Sequence, residues 1–482
     1  MNAHEKSDLR AFFEPRAIAV VGSLNESGGL GYTAIRNMRR FHFAGSIYPI
    51  NPSYKEALGL KAYPDVTAVE DPIDLAVVIT PKQTVPGIID QCARKGVKAA
   101  IVVSDGFAES GETGARLQRQ IVEISHRTGL RIIGPNTIGT LNTENNLVTN
   151  PYFISYDKVY KGNIAYCSQS GIVGAQGQPL KEQAYPISKM CDLGNKCDVD
   201  EVDILDYLYQ DPQTGVIAMH IEDVRDGHKF IDTVRKVAAR KPVLLLKPGR
   251  TERGARAVAS HTGSLAGSER IYDAAFRQAG VIRLDTWREL WEIPRVFVNQ
   301  PLPLGNRIAF ITFTGGVGVA VVDTAEEGGL TIADFTPATI SRLSRLSPEL
   351  ARNPVDLGPL IAATDNPLPL LKETIAAVLN DSNVDCLTAT FYASSNAETP
   401  VYMDIIDQII KKVNKTVSIW IYGTDLAAME ELSRQVQRRG LPAYFDIELA
   451  IKALATAARY SRIKSSLAQA PCPLRQEEKN DG

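Results

Sequence analysis

Short apolar runs alternate with longer amphipathic stretches along most of the chain. In the first part of the sequence, the apolar runs lie at 17–22, 46–50, 74–80, 99–104 and 131–134. Continuous apolar character of this kind is typical of strands that are buried on both faces of a parallel sheet. Apolar residues at helical spacing fill the intervals, for example at 84–95 and 114–128. The pattern therefore predicts consecutive βαβ units.

The same alternation recurs twice farther along the chain. The runs that predict a second sheet lie at 163–168, 187–191, 216–222, 242–247 and 281–284. After a proline-rich joint at 300–306, the runs that predict a third sheet lie at 307–313, 385–391 and 416–423. We therefore expect three α/β domains and a polar, disordered tail, with bounds at 1–145, 152–300, 305–465 and 466–482.

The composition excludes several classes of protein. A chain of 482 residues is too long for a single hydrophobic core. With 53 basic and 55 acidic residues it gives no support for a nucleic-acid-binding protein. No apolar run approaches the roughly 18 residues of a membrane span, and the polar N-terminus lacks the apolar segment of a signal peptide. We expect a cytoplasmic protein with neither a nucleic-acid nor a membrane partner.

The cysteine pattern predicts structural thiols rather than a chemical site. None of the six cysteines forms a CxxC pair, and Cys167 and Cys386 lie inside predicted strands. A thiol in a strand usually behaves as a small core hydrophobe. We expect no disulfide in a reducing compartment, and we predict no metal site in this chain.

A glycine-rich turn follows the first predicted strand. Gly22 and Ser23 lead through Gly28 and Gly29 into a predicted helix. Such a turn lets backbone N–H groups and a helix N-terminus approach a phosphate closely. The spacing is not the GxGxxG of dinucleotide-binding folds, and a tight turn without a ligand is the alternative interpretation.

The end of the second predicted strand favours CoA over NAD. An NAD site places an acidic residue there to bind the ribose hydroxyls. Here Asn51 and Pro52 occupy that place, with Lys55 nearby. Because CoA carries a phosphate on its ribose, a carboxylate at this position would repel it, and a neutral side chain with a cation nearby suits it better.

Polar and turn residues also follow the later strands of the first predicted sheet. The carboxyl ends of parallel strands form the edge where ligands bind in such folds. The further candidate residues for CoA binding are Thr80, Pro81, Ser104, Gly106, Phe107 and Asn136.

Two strand-to-helix turns in the remaining blocks are candidate phosphate sites. In CSQSGIVGAQG, Ser168, Ser170 and Gly171 stand where a predicted strand gives way to a helix. In FTGGVGV, Gly315 and Gly316 hold the equivalent place in the third block. Free N–H groups and the positive end of a helix dipole would face an anion at such turns.

The chain resembles the ADP-forming acyl-CoA synthetases of the succinyl-CoA synthetase superfamily. The runs VVGS…GGLGY, YPINP, VVSDGF and IIGPNTIG are similar to the CoA-binding domain of these enzymes, and LGNKCDVDE is similar to their LGNKADVDE run. The string SHTGSLAGS is similar, nearly residue for residue, to their phosphohistidine loop. Two positions depart from the pattern: Thr137 replaces a common cysteine, and Asp192 stands where relatives often have serine.

The resemblance implies roles for two residues. His261, in SHTGSLAGS, would carry phosphate between two sites, and Glu222, after VIAMHI, would orient it. An imidazole is largely neutral near pH 7, so its nitrogen can attack an acyl phosphate without prior deprotonation. The alternatives are an exposed loop histidine and an acidic residue that caps a strand. The neighbouring His220 and His228 match no motif and are interpreted as structural.

The resemblance also implies the fold, the reaction and the partners. The fold would be a Rossmann-like CoA-binding domain followed by two flavodoxin-like domains. The reaction would convert acyl-CoA, phosphate and ADP into a carboxylic acid, CoA and ATP. Because no residues remain for an ATP-grasp region, a separate β subunit would bind ATP or ADP with Mg²⁺, within an α2β2 heterotetramer.

Two other functions stay open for the same scaffold. One is a CoA-binding regulator without catalysis, against which the presence of His261 and Glu222 argues. The other is an acyl- or carbamoyl-group transferase that works without a nucleotide. The sequence does not identify the carboxylic acid.

Overall fold

The structure is a computed structural model that describes residues 9–178, 180–262, 269–361, 363, 368–394, 402–407 and 414–469. Of 181, 182, 259–262, 361 and 368 it describes the backbone alone. Within these residues, helices long and apolar enough to cross a bilayer are absent.

Three main sheets and one small hairpin contain the strands, which are numbered in chain order. They are β1 (Ala17–Gly22), β2 (Ser46–Ile50), β3 (Glu56–Ala57), β4 (Leu60–Lys61), β5 (Leu75–Ile79), β6 (Ala99–Val102), β7 (Arg131–Ile133), β8 (Thr140–Asn142), β9 (Leu147–Val148), β10 (Lys161–Ser168), β11 (Ile187–Asp192), β12 (Val216–His220), β13 (Val243–Leu246), β14 (Ile282–Leu284), β15 (Arg307–Thr312), β16 (Thr331–Ile332), β17 (Val355–Asp356), β18 (Cys386–Ala393), β19 (Thr416–Gly423) and β20 (Ala443–Tyr444).

Helices connect most of these strands. The α-helical segments are Arg10–Phe13, Leu30–Arg40, Val85–Lys95, Glu112–Thr128, Leu180–Gln183, Glu201–Gln210, Gly227–Ala238, Glu252–Thr262, Glu269–Ala279, Trp287–Glu292, Gly315–Glu327, Pro337–Leu346, Gly358–Ile361, Leu368–Leu379, 402–407, Leu426–Arg438 and Ile447–Gln469. The 3₁₀ turns are Val66–Ala68, Ala108–Ser110, Gly171–Val173, Ile293–Phe297 and Pro348–Leu350.

The three main sheets share one winding order. The first has the order β2-β1-β5-β6-β7, the second contains β11-β10-β12-β13-β14, and the third has β16-β15-β18-β19-β20. In each, the first strand lies between the second and the third, so the crevice where the winding direction reverses falls beside β1, β10 and β15. Ligands bind at the carboxyl end of this crevice in open α/β sheets. The α/β architecture and the flavodoxin-like winding of the second and third sheets are thus as predicted, and the first sheet has the same winding.

The predicted strands match the observed ones within one or two residues at most ends. Four of the five strands of the first sheet are buried over most of their length, which explains their continuous apolar runs, and the edge strand β2 is buried only at Pro49 and Ile50. In the core of this sheet, Phe107, Ile121 and Cys92 pack against the strands.

One boundary differs from the prediction, which ended the first domain at residue 145. The short strands β8 and β9 belong to the second sheet, where β8 pairs antiparallel with β11. The register places Thr140 opposite Cys191 and Asn142 opposite Lys189. Because β8 has only three residues, it has no apolar run long enough to reveal a strand.

The chain divides into two compact units. The first contains 1–233, 244–275 and 283–298, and therefore the first sheet and most of the second. The second contains 234–243, 276–282 and 299–482. The third sheet and its helices form a separate apolar core in this second unit. The five cysteines in the described residues are free and buried, and Cys472 lies outside them.

Candidate functional site

The carboxyl ends of β1 and β2 are joined through Asn51. Its Nδ2 donates to the carbonyl oxygen of Gly22 at 2.9 Å, and its Oδ1 accepts from the N–H of Ser53 at 2.9 Å. A Cβ at Gly22 would lie 2.7 Å from the carbonyl oxygen of Ile79, so this glycine is required by packing on β5. Asn51 is thus fixed at the strand ends.

Ser23, Pro52 and Lys55 are exposed beside this junction. Lys55 is the cation that the sequence assigns to a ribose phosphate, and its exposure leaves the ammonium group available for that contact.

A second cluster lies at the ends of β5, β6 and β7. The N–H of Thr80 donates to Oγ of Ser104 at 3.2 Å. The N–H of Asn136 donates to the carbonyl oxygen of Ser104 at 2.9 Å, and Asn136 has a positive φ of 62°. Asparagine tolerates this left-handed conformation better than most residues. Ser104 therefore ties all three strand ends into one surface.

Two of the predicted CoA-binding residues already make contacts within the protein. The ring of Phe107 is fully buried in the core of the first sheet, so it presents no surface to a ligand. The N–H of Gly106 donates to Oε1 of Glu109 at 2.6 Å. The Phe107 side chain is therefore part of the core, and a contribution of this residue to CoA binding would have to come from its backbone.

A cleft of about 500 Å³ lies between the first sheet and the second. From the first sheet it is lined by Thr80, Pro81, Ser104 and Asn136, and from the second by Gly171 and Asp192, among other residues. The structure thus brings four of the predicted CoA-binding residues next to one of the predicted phosphate-binding residues.

Ser168, at the end of β10, organises the phosphate turn. Its Oγ accepts from the N–H of Ser170 at 2.8 Å and donates to the carbonyl oxygen of Ser170 at 2.9 Å. The same Oγ lies 3.2 Å from Nδ1 of His220, which ends β12 in register with Ser168. Ser168 and His220 therefore meet at the crevice beside β10.

The helix expected after this turn is much shorter than predicted. Gly171–Val173 forms a single 3₁₀ turn, and the next helix, Leu180–Gln183, has four residues. Gly171, Gly174 and Gly177 lie within this stretch, and each glycine costs a helix about 1 kcal/mol relative to alanine. An anion here would rely on N–H groups of the turn, because a long helix dipole is absent from this part of the described chain.

His220, which the sequence interprets as structural, contacts this turn. Its ring stacks on Trp287 with centroids 4.4 Å apart. Burial, together with the nearby charge of Lys247, lowers the pKa of His220 to about 4. The imidazole is therefore neutral at physiological pH and holds Ser168 without adding charge. No motif marked it, because the contact depends on strand register.

Glu222 follows β12 and is 7% exposed. Its N–H donates to Oε1 of Gln169 at 2.6 Å, and Nε2 of Gln169 donates to Asp223 at 3.0 Å. Asp223 is paired at 2.7 Å with Lys196, which is itself almost completely buried. Gln169 and Lys196, which the sequence did not single out, thus fix the backbone that carries Glu222.

His261 is the penultimate residue of the helix Glu252–Thr262, which contacts the turn Ala108–Ser110 at the edge of the first sheet. The sequence predicted a loop here, but the alanines that precede His261 favour a helix. The His261 side chain and residues 263–268 lie outside the described residues.

The second candidate turn repeats the hydrogen bonds of the first within the second unit. Oγ1 of Thr312 accepts from the N–H of Thr314 at 3.0 Å and donates to its carbonyl oxygen at 3.1 Å. The helix Gly315–Glu327 follows as predicted. A Cβ at Gly315 would lie 3.0 Å from Oδ2 of Asp356, whereas nothing lies within 4 Å of one at Gly316. Open space is therefore found at Gly316.

Thr137 and Asp192, the two positions that depart from the family pattern, are neighbours in the cleft. Oγ1 of Thr137 donates to the carbonyl oxygen of Asp192. The side chain of Asp192 accepts from the N–H of Ile138 at 2.9 Å and from the N–H of Gly194 at 3.3 Å. Burial raises the pKa of Asp192 to about 6, and the negative charge of Glu222 acts in the same direction against these hydrogen bonds.

Asp192→Asn is expected to become more stable relative to the wild type as the pH rises. The pKa of Asp192 lies above its usual 3.8, so the folded state favours the protonated form and loses stability between about pH 4 and 6. Between pH 5 and 8 the difference in unfolding free energy should change by about 1 kcal/mol. Urea unfolding at several pH values measures it.

Asp381→Asn is the matched control for that measurement. Asp381 is also buried and accepts from two N–H groups, of Thr336 and Asn383. Although burial raises the pKa of Asp381, hydrogen bonds from Thr339, Asn383 and Thr336 lower it below 3.8 overall. The stability that the Asp381 carboxylate contributes is lost only at a pH below this range. The difference in unfolding free energy between Asp381→Asn and the wild type should therefore stay constant between pH 5 and 8. If the difference in unfolding free energy between Asp192→Asn and the wild type were also independent of pH, the raised pKa of Asp192 would be contradicted.

A larger cavity of about 1360 Å³ lies near the amino ends of β2 and β7 and is lined by Ser46 and Arg131 among others. None of the predicted site residues lines it. In the described residues, no group of three or more His, Cys, Asp or Glu side chains could hold a metal ion.

Two parts of the chain match models of known domain families. Residues 16–143 match the model of the CoA binding domain, and residues 161–297 match the succinyl-CoA ligase like flavodoxin domain. The alpha subunit of ADP-forming acetate–CoA ligase II of Pyrococcus furiosus is 38% identical over 90% of this chain and 94% of its own length. The ADP-forming acetate–CoA ligase II of Archaeoglobus fulgidus is 34% identical over 94% of this chain and 67% of its own length.

A solved structure has the same fold over almost the whole chain. It is the dinucleotide forming acetyl-coenzyme A synthetase 1 of Ca. Korarchaeum cryptofilum, in complex with phosphate and ADP. The TM-score is 0.88 at 33% sequence identity, over 97% of this chain and 99% of that one.

Proposed function

Because the chain belongs to the family of ADP-forming acetate–CoA ligases, we propose that it catalyses the acyl-transfer half of an acyl-CoA synthetase. The overall reaction converts acyl-CoA, phosphate and ADP into a carboxylic acid, CoA and ATP. The observation that supports this assignment is the cleft, in which Thr80, Ser104 and Asn136 face Gly171 and Asp192. A thioester bound from the first sheet would reach phosphate bound at the second.

The first step takes place where the two sheets meet. CoA lies along the strand ends of the first sheet, from Lys55 at the ribose phosphate to Asn136 at the thiol end. Phosphate is held by the N–H groups of the turn that Ser168 organises. An oxygen of the phosphate attacks the thioester carbonyl, the C–S bond breaks, and CoA leaves with a proton. The product is an acyl phosphate.

The second step passes the phosphoryl group to His261. An imidazole nitrogen attacks phosphorus, the P–O bond to the acyl group breaks, and the carboxylic acid leaves. The helix Glu252–Thr262, which contains His261, contacts the Ala108–Ser110 turn of the first sheet, which supports a place for the histidine near the cleft. Glu222, buried at the same edge of the second sheet, stabilises the positive charge that develops on the imidazole.

The final step requires a nucleotide. We propose that a separate ATP-grasp β subunit binds ADP and Mg²⁺ and takes the phosphoryl group from His261, within an α2β2 assembly. The Pyrococcus relative that this chain covers almost completely is named as an alpha subunit. The Archaeoglobus relative extends beyond the matched region, as expected if the two parts are joined there.

The first step is expected to run in this chain without a nucleotide. Arsenate replaces phosphate in such reactions, and acyl arsenates hydrolyse spontaneously, so CoA should be released from acetyl-CoA in an arsenate-dependent way. A thiol reagent measures the rate. Asp381→Ser, in the second unit, is the control for damage to the fold. Absence of arsenate-dependent release from every acyl-CoA tried would contradict the proposed function.

CoA is expected to bind the full chain more tightly than dephospho-CoA. Lys55 is exposed, so its contact with the ribose phosphate contributes up to about 1 kcal/mol, or a factor of about 5 in affinity. Calorimetry should show this factor disappear in Lys55→Ala. Lys98→Ala is the matched control, because Lys98 is exposed at the amino end of β6 and pairs with Asp74. Tighter binding of NADH than of CoA would contradict the assignment.

A further inference from the structure

Asp192 is a buried carboxylate at the point where the cleft joins the two sheets. It ends β11 and is 4% exposed. Its Oδ2 lies 3.8 Å from the position of a Cβ on Gly171, the first residue of the phosphate turn. Asp192 therefore lines the space between the CoA side and the phosphate side of the cleft.

The carboxylate is held rigidly and keeps capacity to accept further hydrogen bonds. One oxygen accepts from the N–H of Ile138 and the other from the N–H of Gly194. A carboxylate offers about four acceptor positions, so about two remain. Among the described residues no lysine or arginine forms an ion pair with Asp192. A buried acceptor of this kind is best satisfied by a donor that arrives with a ligand.

On the basis of the proposed function, we propose that Asp192 selects the acyl group. Acids that carry a hydroxyl or ammonium group near the reacting carbonyl would be preferred over unsubstituted acids and over dicarboxylic acids.

Each part of this preference follows from the chemistry of an ionised carboxylate. It accepts but does not donate hydrogen bonds, so a hydroxyl or ammonium group satisfies it. An alkyl chain of the same length leaves it unsatisfied, and a second carboxylate on the substrate repels it. A site that hydrogen-bonds its substrate discriminates strongly against analogues that lack the donor.

Two other roles for Asp192 predict different results. If it only fixes the loops of Ile138 and Gly194, its removal lowers stability and affects all substrates alike. If it accepts the proton of the CoA thiol, its removal lowers kcat for all substrates alike. The ratio of rates for matched substrates separates selection from both, because a uniform loss cancels in that ratio.

The experiment measures kcat/KM for arsenate-dependent CoA release by the full chain at pH 8. The pairs are glycolyl-CoA with acetyl-CoA, 3-hydroxybutyryl-CoA with butyryl-CoA, and β-alanyl-CoA with propionyl-CoA, with succinyl-CoA as the dicarboxylic case. In the wild type, one donor-bearing thioester should exceed its partner by about 10- to 100-fold, as expected for one hydrogen bond to a charged group. The pair that shows it identifies hydroxyl or ammonium as the donor.

Asp192→Ser should reduce that ratio to near one, Asp192→Asn, which keeps one acceptor oxygen but no charge, should reduce it in part, and both should improve the use of succinyl-CoA. Asp381→Ser is the matched control, since Asp381 is equally buried and also binds one N–H group with each oxygen. It should leave every ratio unchanged.

The possible failures are distinguishable. If no thioester is cleaved, the proposed function is wrong, and this inference fails with it. If thioesters are cleaved but the wild-type ratios are near one, or are unchanged in both Asp192 variants, only the inference is wrong. If Asp192→Ser does not fold, Asp192→Asn, which keeps one acceptor oxygen, decides.

Discussion

His261→Ala is expected to abolish nucleotide-dependent ligation while leaving the first step intact. In the proposed sequence the imidazole is the only group that carries phosphate from the cleft to the nucleotide. Alanine has no nucleophilic atom, so no phosphoryl group can leave the acyl phosphate by this route. Incubation of the complete enzyme with labelled ATP should label this chain on an acid-labile, base-stable group, and the variant should remain unlabelled.

Arsenate-dependent release of CoA provides the internal control. In the proposed mechanism, that reaction needs the strand ends of the first sheet and the Ser168 turn, but not the imidazole. His261→Ala should therefore retain it at close to the wild-type rate, which shows that the fold and CoA binding survive. Near-normal ligation by His261→Ala would refute the mechanism.

Glu222→Gln tests the role of the Glu222 carboxylate in the same phosphoryl transfer. The variant keeps the shape of the side chain and removes the charge that stabilises the imidazolium. Loss of one charge-assisted contact of about 2–4 kcal/mol should slow phosphoryl transfer by about 30- to 1000-fold. If Glu222 acts only as a buried strand cap, the variant would change stability and leave the labelling rate unaltered.

The purified chain is expected to give no acid- and ATP-dependent formation of acyl-CoA until an ATP-grasp chain is added. Phosphorylation of His261 from ATP requires a nucleotide site, which we assign to the partner. The measurement is thioester formation at high enzyme concentration, with and without the ATP-grasp chain encoded nearest to this one. Steady turnover by the chain alone would contradict the division of labour. Acyl transfer that never responds to a nucleotide would favour the transferase alternative.

The longer strands were predictable because most of them are buried apolar runs bounded by turn residues. Thr416–Gly423 has the same bounds in the sequence pattern and in the structure. The structure of the segment after Ser170 could not be predicted in this way. Its small polar residues suggested the start of a helix, but Gly171, Gly174 and Gly177 prevent the helix from continuing. Sequence patterns report local preference, and here several glycines act against one favourable first turn.

Residues that line the cleft could be predicted where they follow a strand end, but not where the contact joins distant segments. Thr80, Ser104 and Gly171 follow strands, and the structure places all three around one cleft. His220 and Asp192 were not assigned, since their contacts with Ser168 and Ile138 join residues 52 and 54 positions apart. Such contacts depend on strand register and on how two sheets pack, which no single segment encodes.

The attachment of β8 to the second sheet has a consequence for how this molecule can be divided. Without 140–148, β11 would become an edge strand, with the apolar side chains of Met190 and Cys191 beside open N–H and C=O groups. Exposed edges of this kind recruit strands from other molecules and lead to aggregation. Residues 140–148 therefore protect the second sheet, and we expect recombination between relatives to keep this segment together with that sheet, with exchange tolerated at the proline-rich joint near residue 300.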